Sequence, residues 1–170
     1  MDAMIATEVD QYLTFRLGEE IYGLEVIHIK EVLWVPRITR VPRMPEYLSR
    51  VINLRGSVIP VLDVKQKFGL GQTDITENTS IIVIEVTGIL NDGESETLTI
   101  GLFSDGVEEV VDILPGDIEP PPKLGFSIDT SFISGMGKLG DSFVILLDLD
   151  RLLSERELLG SAEQREAPNA

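Results

Sequence analysis

An internal repeat is the feature that most constrains how this chain folds. The block YGLEVIHIKEV (22–32) parallels IGLFSDGVEEV (100–110) at an offset of 78, and VIPVLD (58–63) parallels FVILLD (143–148) at an offset of 85. The larger second offset means that the second copy contains additional residues between its two blocks. The chain is therefore predicted to form two similar units rather than one domain without a repeat.

Most of the chain reads as short strands. The strand-like runs are rich in β-branched and aromatic residues and are bounded by turn residues; they include 12–17, 51–54, 58–62, 80–86, 98–103 and 107–111. Asn91-Asp92-Gly93 is a hairpin signal between two of them. Helical candidates are few, at 45–50, 64–68 and 149–159. Many strands with little helix favour small closed barrels over a parallel sheet.

Composition excludes several classes of function. The 170 residues carry a formal net charge of −15, which disfavours nucleic acid and anionic lipid as partners because phosphate binding needs a basic surface. There is no cysteine, so disulfides and thiolate metal sites are excluded. Neither a signal peptide nor an apolar run of about 20 residues is present. We expect a cytoplasmic protein without membrane insertion.

The segment ISGMGKLGDS contains Gly135, Gly137 and Gly140 in the G-x-G-x-x-G spacing of a dinucleotide-binding turn. Such a turn must follow a strand and open a helix, whose N-terminal amides hold the pyrophosphate. Here the glycines lead instead into DSFVILL (141–147), a strand-like run. We therefore predict a hairpin in which glycine permits a tight turn with positive φ.

Residues with catalytic potential are sparse. His28 is the only histidine, so a histidine-rich metal site is excluded. Asp63 and Asp148 form a repeat-related pair of carboxylates that could serve acid–base chemistry, but each precedes a short helix, where aspartate is the usual N-cap. A small enzyme that uses His28 or this pair is the alternative hypothesis. We favour a structural histidine and two helix caps, with no catalytic residue, no metal and no cofactor.

One segment is basic in this acidic chain. Between Trp34 and Gly56 there are five arginines and a single acid, Glu46; the arginines are Arg37, Arg40, Arg43, Arg50 and Arg55. They could pair with acids elsewhere in the fold. Alternatively, they form a docking surface for a protein with acidic side chains, because a guanidinium binds carboxylates in a bidentate manner. Trp34 and Tyr47 add aromatic side chains of the kind enriched at interfaces.

At these residues the sequence resembles the CheW family of bacterial chemotaxis adaptors. The matching blocks extend over about residues 10–160, and the most specific of them is VINLRGSVIPVLDV (51–64). The resemblance implies a mainly β fold of two intertwined SH3-like β-barrel subdomains that share a core, with short helices and a C-terminal helix. It places one CheW-like domain at 10–160 and leaves 161–170 as a polar, disordered tail.

The resemblance also implies a function. Family members are non-catalytic, and they bridge the cytoplasmic tip of transmembrane chemoreceptors to the regulatory domain of a histidine kinase within membrane-associated receptor arrays. The same scaffold serving another sensory kinase pathway, such as a pilus system, is the alternative. Receptor contacts are expected in the groove between the barrels, and kinase contacts at the barrel ends.

The receptor-binding candidates are Ile29, Glu31, Arg50, Arg55 and Val58. Four of them match family positions implicated in receptor binding or its support. Arg55 is the leading candidate, either as a direct contact or as a structural residue paired with Glu31. Arg50 stands where the family often has glycine, and Trp34-Val35-Pro36 replaces a more polar loop. Both departures lie in the arginine-rich segment and bear on partner specificity.

Overall fold

A computed structural model of the chain describes residues 10–89, 93, 95–121 and 130–153. The described part consists mainly of short strands, as predicted. The strands are β1 (Asp10–Leu17), β2 (Glu20–Glu25), β3 (Ile29–Trp34), β4 (Ile38–Arg40), β5 (Arg50–Leu54), β6 (Ser57–Leu62), β7 (Ser80–Ile89), β8 (Ser95–Ser104), β9 (Gly106–Ile113), β10 (Ile118–Glu119), β11 (Ile133–Leu139) and β12 (Ser142–Leu147).

Helices in the described part are single turns. The α-helices are α1 (Val64–Lys67) and α2 (Leu149–Leu152), and short 3-10 helices lie at Val26–His28, Glu46–Leu48, Pro115–Asp117 and Thr130–Phe132. The C-terminal helix predicted at 149–159 is seen as α2, and its remainder and the predicted tail 161–170 lie outside the described residues. In the ranges that the structure describes, no helix has the length and apolarity needed to cross a membrane.

The strands form two six-stranded sheets, each built from both halves of the chain. Barrel 1 has the order β3-β7-β8-β6-β5-β4, and barrel 2 has the order β10-β11-β12-β2-β1-β9. Each half therefore gives its first two strands to the barrel that is otherwise formed by the other half. The exchanged strands join their new sheet by parallel pairing, β2 with β12 and β8 with β6, whereas the other pairs are antiparallel.

The parallel junctions confirm the sequence repeat. Gly23 pairs with Leu146 at one junction, and Gly101 pairs with Val61 at the other, so both repeat offsets recur in the strand register. Neither glycine has room for a side chain. A Cβ at Gly23 would lie 2.9 Å from Val144 Cγ1, and one at Gly101 would lie 2.7 Å from the Cγ2 of an isoleucine on β7. Glycine is therefore required where each exchanged strand lies beside its parallel partner.

The apolar interior consists of three clusters. The largest lies between the sheets and includes Phe15, Tyr22, Ile84 and Leu102, which are almost completely buried. A smaller cluster fills each barrel; Ile52, Ile59, Val61, Ile81, Val83 and Phe103 form that of barrel 1, and Tyr12, Val111, Ile113, Val144 and Leu146 form that of barrel 2. Because the central cluster takes residues from both sheets, the barrels share a core, as expected.

Two aspartates, Asp63 and Asp148, occupy equivalent positions in the repeat. The side chain of Asp63 accepts a hydrogen bond from the backbone N–H of Gln66, and that of Asp148 accepts one from the N–H of Arg151. These are the first turns of α1 and α2, so both aspartates are N-caps, as predicted.

The glycine-rich segment is a hairpin, and the dinucleotide-binding alternative is wrong. Gly135 and Gly137 lie within β11, and Gly140 begins the turn that leads into β12. Only Gly140 has a positive φ, of 63°. The other two are needed for space, because a Cβ at Gly135 would lie 2.5 Å from Ile118 Cγ2. Since a strand follows, no helix N-terminus is available for a phosphate.

Candidate functional site

The turn between β5 and β6 carries the leading candidate residue. Arg55 and Gly56 both have positive φ, of 51° and 89°, as a two-residue type I′ turn requires. The side chain of Asn53 supports the turn by accepting a hydrogen bond from the Gly56 N–H at 2.8 Å. Arg55 therefore occupies a conformation that residues other than glycine rarely adopt, and its side chain starts from a fixed position at the tip of the hairpin.

Arg55 is paired with Glu31 on β3. Its Nη1 and Nη2 donate to the two carboxylate oxygens of Glu31, each at 2.8 Å, in a bidentate arrangement. The hydrogen bond from Arg55, and then its positive charge, lower the pKa of Glu31. The hydrogen bond to Glu31, and then the negative charge of that carboxylate, raise the pKa of Arg55. The ion pair considered from the sequence is therefore present. The side chain of Arg55 remains 69% exposed, so N–H groups are left for a partner.

The structure places two more candidates close to this pair in the fold. Val58 lies on β6, three residues after Arg55, and is 71% exposed. Ile29 lies on the same strand as Glu31 and packs partly against the shared core. The four residues thus lie on β3 and on the β5–β6 hairpin of barrel 1, and they are together called the hairpin surface.

Arg50 does not have the exposed position expected of a contact residue. It is 4% exposed, its Nη2 forms a salt bridge with the buried carboxylate of Asp63, and its guanidinium lies 4.5 Å from the ring centroid of Phe103. The backbone N–H and hydroxyl of Thr73 also donate to Asp63. Because these interactions enclose the side chain, Arg50 supports the interior of barrel 1. It is therefore not exposed to a partner as a contact residue would be.

The two interpretations of the arginine-rich segment apply to different residues. Arg50 and Arg55 pair with acids, as the structural interpretation expects. Arg37, Arg40 and Arg43 are exposed and form no ion pair with any described residue. They lie on β4, which is the last strand of barrel 1, and on its flanking loops. We call these three residues the arginine edge.

A groove between the two barrels was expected from the family resemblance, but none of the five receptor-binding candidates lines the groove that the structure shows. Its volume is about 420 Å³, with walls formed by β3 and β7 of barrel 1 and by β1 and β9 of barrel 2; the lining residues are Arg16, Val32, Leu33, Trp34, Asn78, Ser80, Gly106 and Val107. Trp34 is 72% exposed and Val32 is 42% exposed. We call this the inter-barrel groove. The sequence feature that could have located its lining residues is the apolar pair Val32 and Trp34 on the outward face of β3, because an edge strand normally carries polar residues there.

Nothing among the described side chains is arranged for metal binding: no group of three or more histidines and carboxylates is brought together in these ranges. His28 is half-buried in the 3-10 helix between β2 and β3. The carboxylates of Asp63 and Asp148 are used as helix caps. The groove with its exposed Val32 and Trp34, and the charged surfaces, are features of the described part that are suited to binding another protein.

Comparison with known proteins agrees with this assessment. A family model described as the CheW-like domain matches residues 11–157. The chemotaxis protein CheW of Klebsiella aerogenes is 32% identical over 148 residues, which cover 87% of this chain and 84% of that protein. CheW of Treponema pallidum is 30% identical with the same coverage. The crystal structure of the scaffolding protein TtCheW from Thermoanaerobacter tengcongensis matches with a TM-score of 0.74 and 36% identity, over 89% of this chain and 94% of that one.

Proposed function

Since the chain belongs to the CheW-like family, we propose that it is a non-catalytic chemotaxis adaptor, which couples the cytoplasmic tip of chemoreceptors to the regulatory domain of a histidine kinase. The inter-barrel groove, which is open and lined in part by the exposed apolar side chains of Val32 and Trp34, is the observation that carries the proposal. Such a surface is typical of a protein that binds partners, because soluble proteins rarely leave large apolar side chains together in water.

The receptor tip is assigned to the inter-barrel groove and the hairpin surface. An amphipathic helix can bury its apolar side in a groove lined by Val32, Trp34 and Val107. Glu31 and Arg55, which are joined by their bidentate pair, provide a charged boundary on the same barrel. Val58 adds an exposed aliphatic side chain. In this assignment Arg55 both fixes the hairpin and offers its remaining N–H groups to the receptor.

The kinase regulatory domain is assigned to the arginine edge. Arg37, Arg40 and Arg43 lie on and around β4, and none of them lines the inter-barrel groove. The two partners are thus assigned to different residues, as an adaptor that holds two proteins at once requires. Free guanidinium groups are suited to carboxylates on a partner protein. Membrane lipid and nucleic acid are disfavoured by the net charge of −15.

The adaptor would act by fixing the arrangement of the two proteins that it binds. If the receptor in the groove favours one arrangement of the kinase bound at the arginine edge, the coupling between the two sites has a typical size of about 1–3 kcal/mol. The shared core supports this role, because both barrels contribute to one packed interior and cannot move independently without disturbing it. Within an array, such an adaptor would be recruited to the membrane by its receptor.

The proposal is tested by calorimetric titration of the protein with the regulatory domain of its kinase and, separately, with a helical-hairpin fragment of a receptor tip. We expect binding to both. The receptor titration is then repeated with Arg55→Glu, which reverses a charge beside Glu31, and with Lys138→Glu on barrel 2 as a control. Loss of receptor binding only in Arg55→Glu supports the assignment. Failure of the folded wild-type protein to bind either partner would contradict the adaptor function.

A further inference from the structure

A polar group at the inter-barrel groove has no hydrogen-bond partner. Ser80, the first residue of β7, lines the groove and is 4% exposed, and its Oγ is buried without a partner in the part of the chain that the structure describes. An unpaired buried polar group normally destabilises the folded protein. Ser104, which lies directly opposite Ser80 in the sheet, has its hydroxyl engaged by the N–H of Gly106. The hydroxyl of Ser80 thus lacks the partner that its neighbour in the sheet has, and it lines the groove.

A second polar group lies nearby. Asn78 also lines the groove, is exposed, and has a side-chain carboxamide without a hydrogen bond to any described residue. Its backbone N–H, by contrast, is used by Thr76 in the turn before β7. One hydroxyl and one carboxamide, each able both to donate and to accept, are thus available beside the apolar side chains of the groove.

The charge in the groove is already balanced. Arg16 faces Glu108 across the β1–β9 pair, with Nε and Oε1 3.6 Å apart, and both side chains are about half exposed. A carboxylate from a docking protein would have to compete with Glu108 for this guanidinium, in a chain whose net charge is −15. A neutral group that carries one donor and one acceptor meets no such competition.

We propose that Ser80 and Asn78 form a polar subsite that binds the side-chain carboxamide of an asparagine or glutamine in the segment that docks in the inter-barrel groove. The carboxamide NH₂ and C=O are satisfied by the Ser80 hydroxyl and the Asn78 amide, while flanking aliphatic side chains pack against Val32, Trp34 and Val107. The subsite deepens the proposed function and rests on it, because the docking segment is taken to be the receptor tip. It supplies specificity that an apolar groove alone lacks.

The test compares Ser80→Ala with the wild-type protein. Because the hydroxyl has no partner in the free protein, its removal is expected to leave the Tm unchanged or to raise it. Binding of the receptor-tip hairpin should nevertheless weaken about three- to tenfold, whereas binding of the kinase regulatory domain should not change. Ser134→Ala is the matched control, since Ser134 is on β11 and its hydroxyl donates to the Leu146 carbonyl; it should retain full affinity for the hairpin.

The partner side chain is identified by a double-mutant cycle. Each asparagine and glutamine of the hairpin tip is changed to alanine in turn, and one of these variants should lose its sensitivity to Ser80→Ala. If Ser80→Ala binds the hairpin as the wild type does, the subsite is overturned while the adaptor function stands. If the coupling is to an aspartate or glutamate of the hairpin, the carboxamide assignment is overturned. If the wild-type protein binds no hairpin, the proposed receptor function itself fails.

Discussion

Arg50 and Arg55 belong to the same hairpin, but their surroundings give them different roles. Arg50 begins β5 and is enclosed by Asp63 and the ring of Phe103. Arg55 lies at the turn and holds Glu31 while most of its side chain stays in water. A buried charge without its partner is strongly unfavourable, whereas an exposed one is readily solvated. At the scale of a residue, position relative to the core therefore decides whether an arginine supports the interior or stays accessible to a partner.

Removing Arg50 is expected to destabilise the fold. Arg50→Ala leaves the buried carboxylate of Asp63 without its counter-ion, and such a loss typically costs about 3–5 kcal/mol. The measurement is urea unfolding followed by circular dichroism. Arg40→Ala, at an exposed position, is the control and should change stability by no more than about 0.5 kcal/mol. A loss of similar size in both variants would show that the Arg50–Asp63 pair is not a main support of barrel 1.

Removing Arg55 is expected to raise the pKa of Glu31. Arg55→Gln deletes the largest cause of the lowered value, whereas Lys30→Gln removes only a minor one and serves as the control. NMR titration of the Glu31 carboxyl carbon gives the pKa directly. A lowered folded-state pKa stabilises the fold at pH values above the unfolded-state pKa, and this contribution is lost as pH falls through the folded-state value. The stabilities of wild type and Arg55→Gln should therefore converge in acid; a constant difference would contradict this.

At the scale of an element, the β11–β12 hairpin shows what its glycines are for. Gly135→Ala would place a Cβ 2.5 Å from Ile118 Cγ2 and 3.2 Å from the carbonyl oxygen of Glu119. We expect this variant to lose about 1–3 kcal/mol in thermal unfolding. Gly116→Ala is the control, because that glycine has an ordinary φ and open space around it. Equal Tm values for the two variants would refute the close-packing explanation.

Local elements were predictable because their signals are local. The turns and the caps at Asp63 and Asp148 depend on residues close in sequence, and the repeat is visible as pairs of similar sequence blocks. The burial of Arg50 was not predictable, since it depends on Phe103, 53 positions away in the sequence. The residues that line the inter-barrel groove were missed for the same reason: Val32 and Val107 lie on strands that the chain brings together only through exchange between the barrels.

At the scale of the molecule, the repeat is symmetric in backbone and asymmetric in charge. The register pairs Ile38 of β4 with Ile52, and Ile118 of β10 with Gly137, which is the repeat equivalent of Ile52. Arg37 and Asp117, the residues just before these isoleucines, therefore occupy equivalent positions at the ends of the two barrels. The end of barrel 1 is basic where the end of barrel 2 is acidic. One fold thus presents two chemically distinct ends, which lets an adaptor distinguish its partners.

The arginine edge should govern how fast the kinase regulatory domain associates. Charges at the periphery of an interface act mainly on the association rate and its salt dependence. Arg40→Glu is therefore expected to slow association about fivefold or more at low ionic strength and to flatten its dependence on salt, as measured by stopped-flow fluorescence at about 50 and 300 mM NaCl. Lys138→Glu makes the same change of net charge on barrel 2. It should have a much smaller effect, because salt screens charges that lie far from the contact. Equal slowing by both variants would mean that the overall field, rather than the arginine edge, steers the kinase domain.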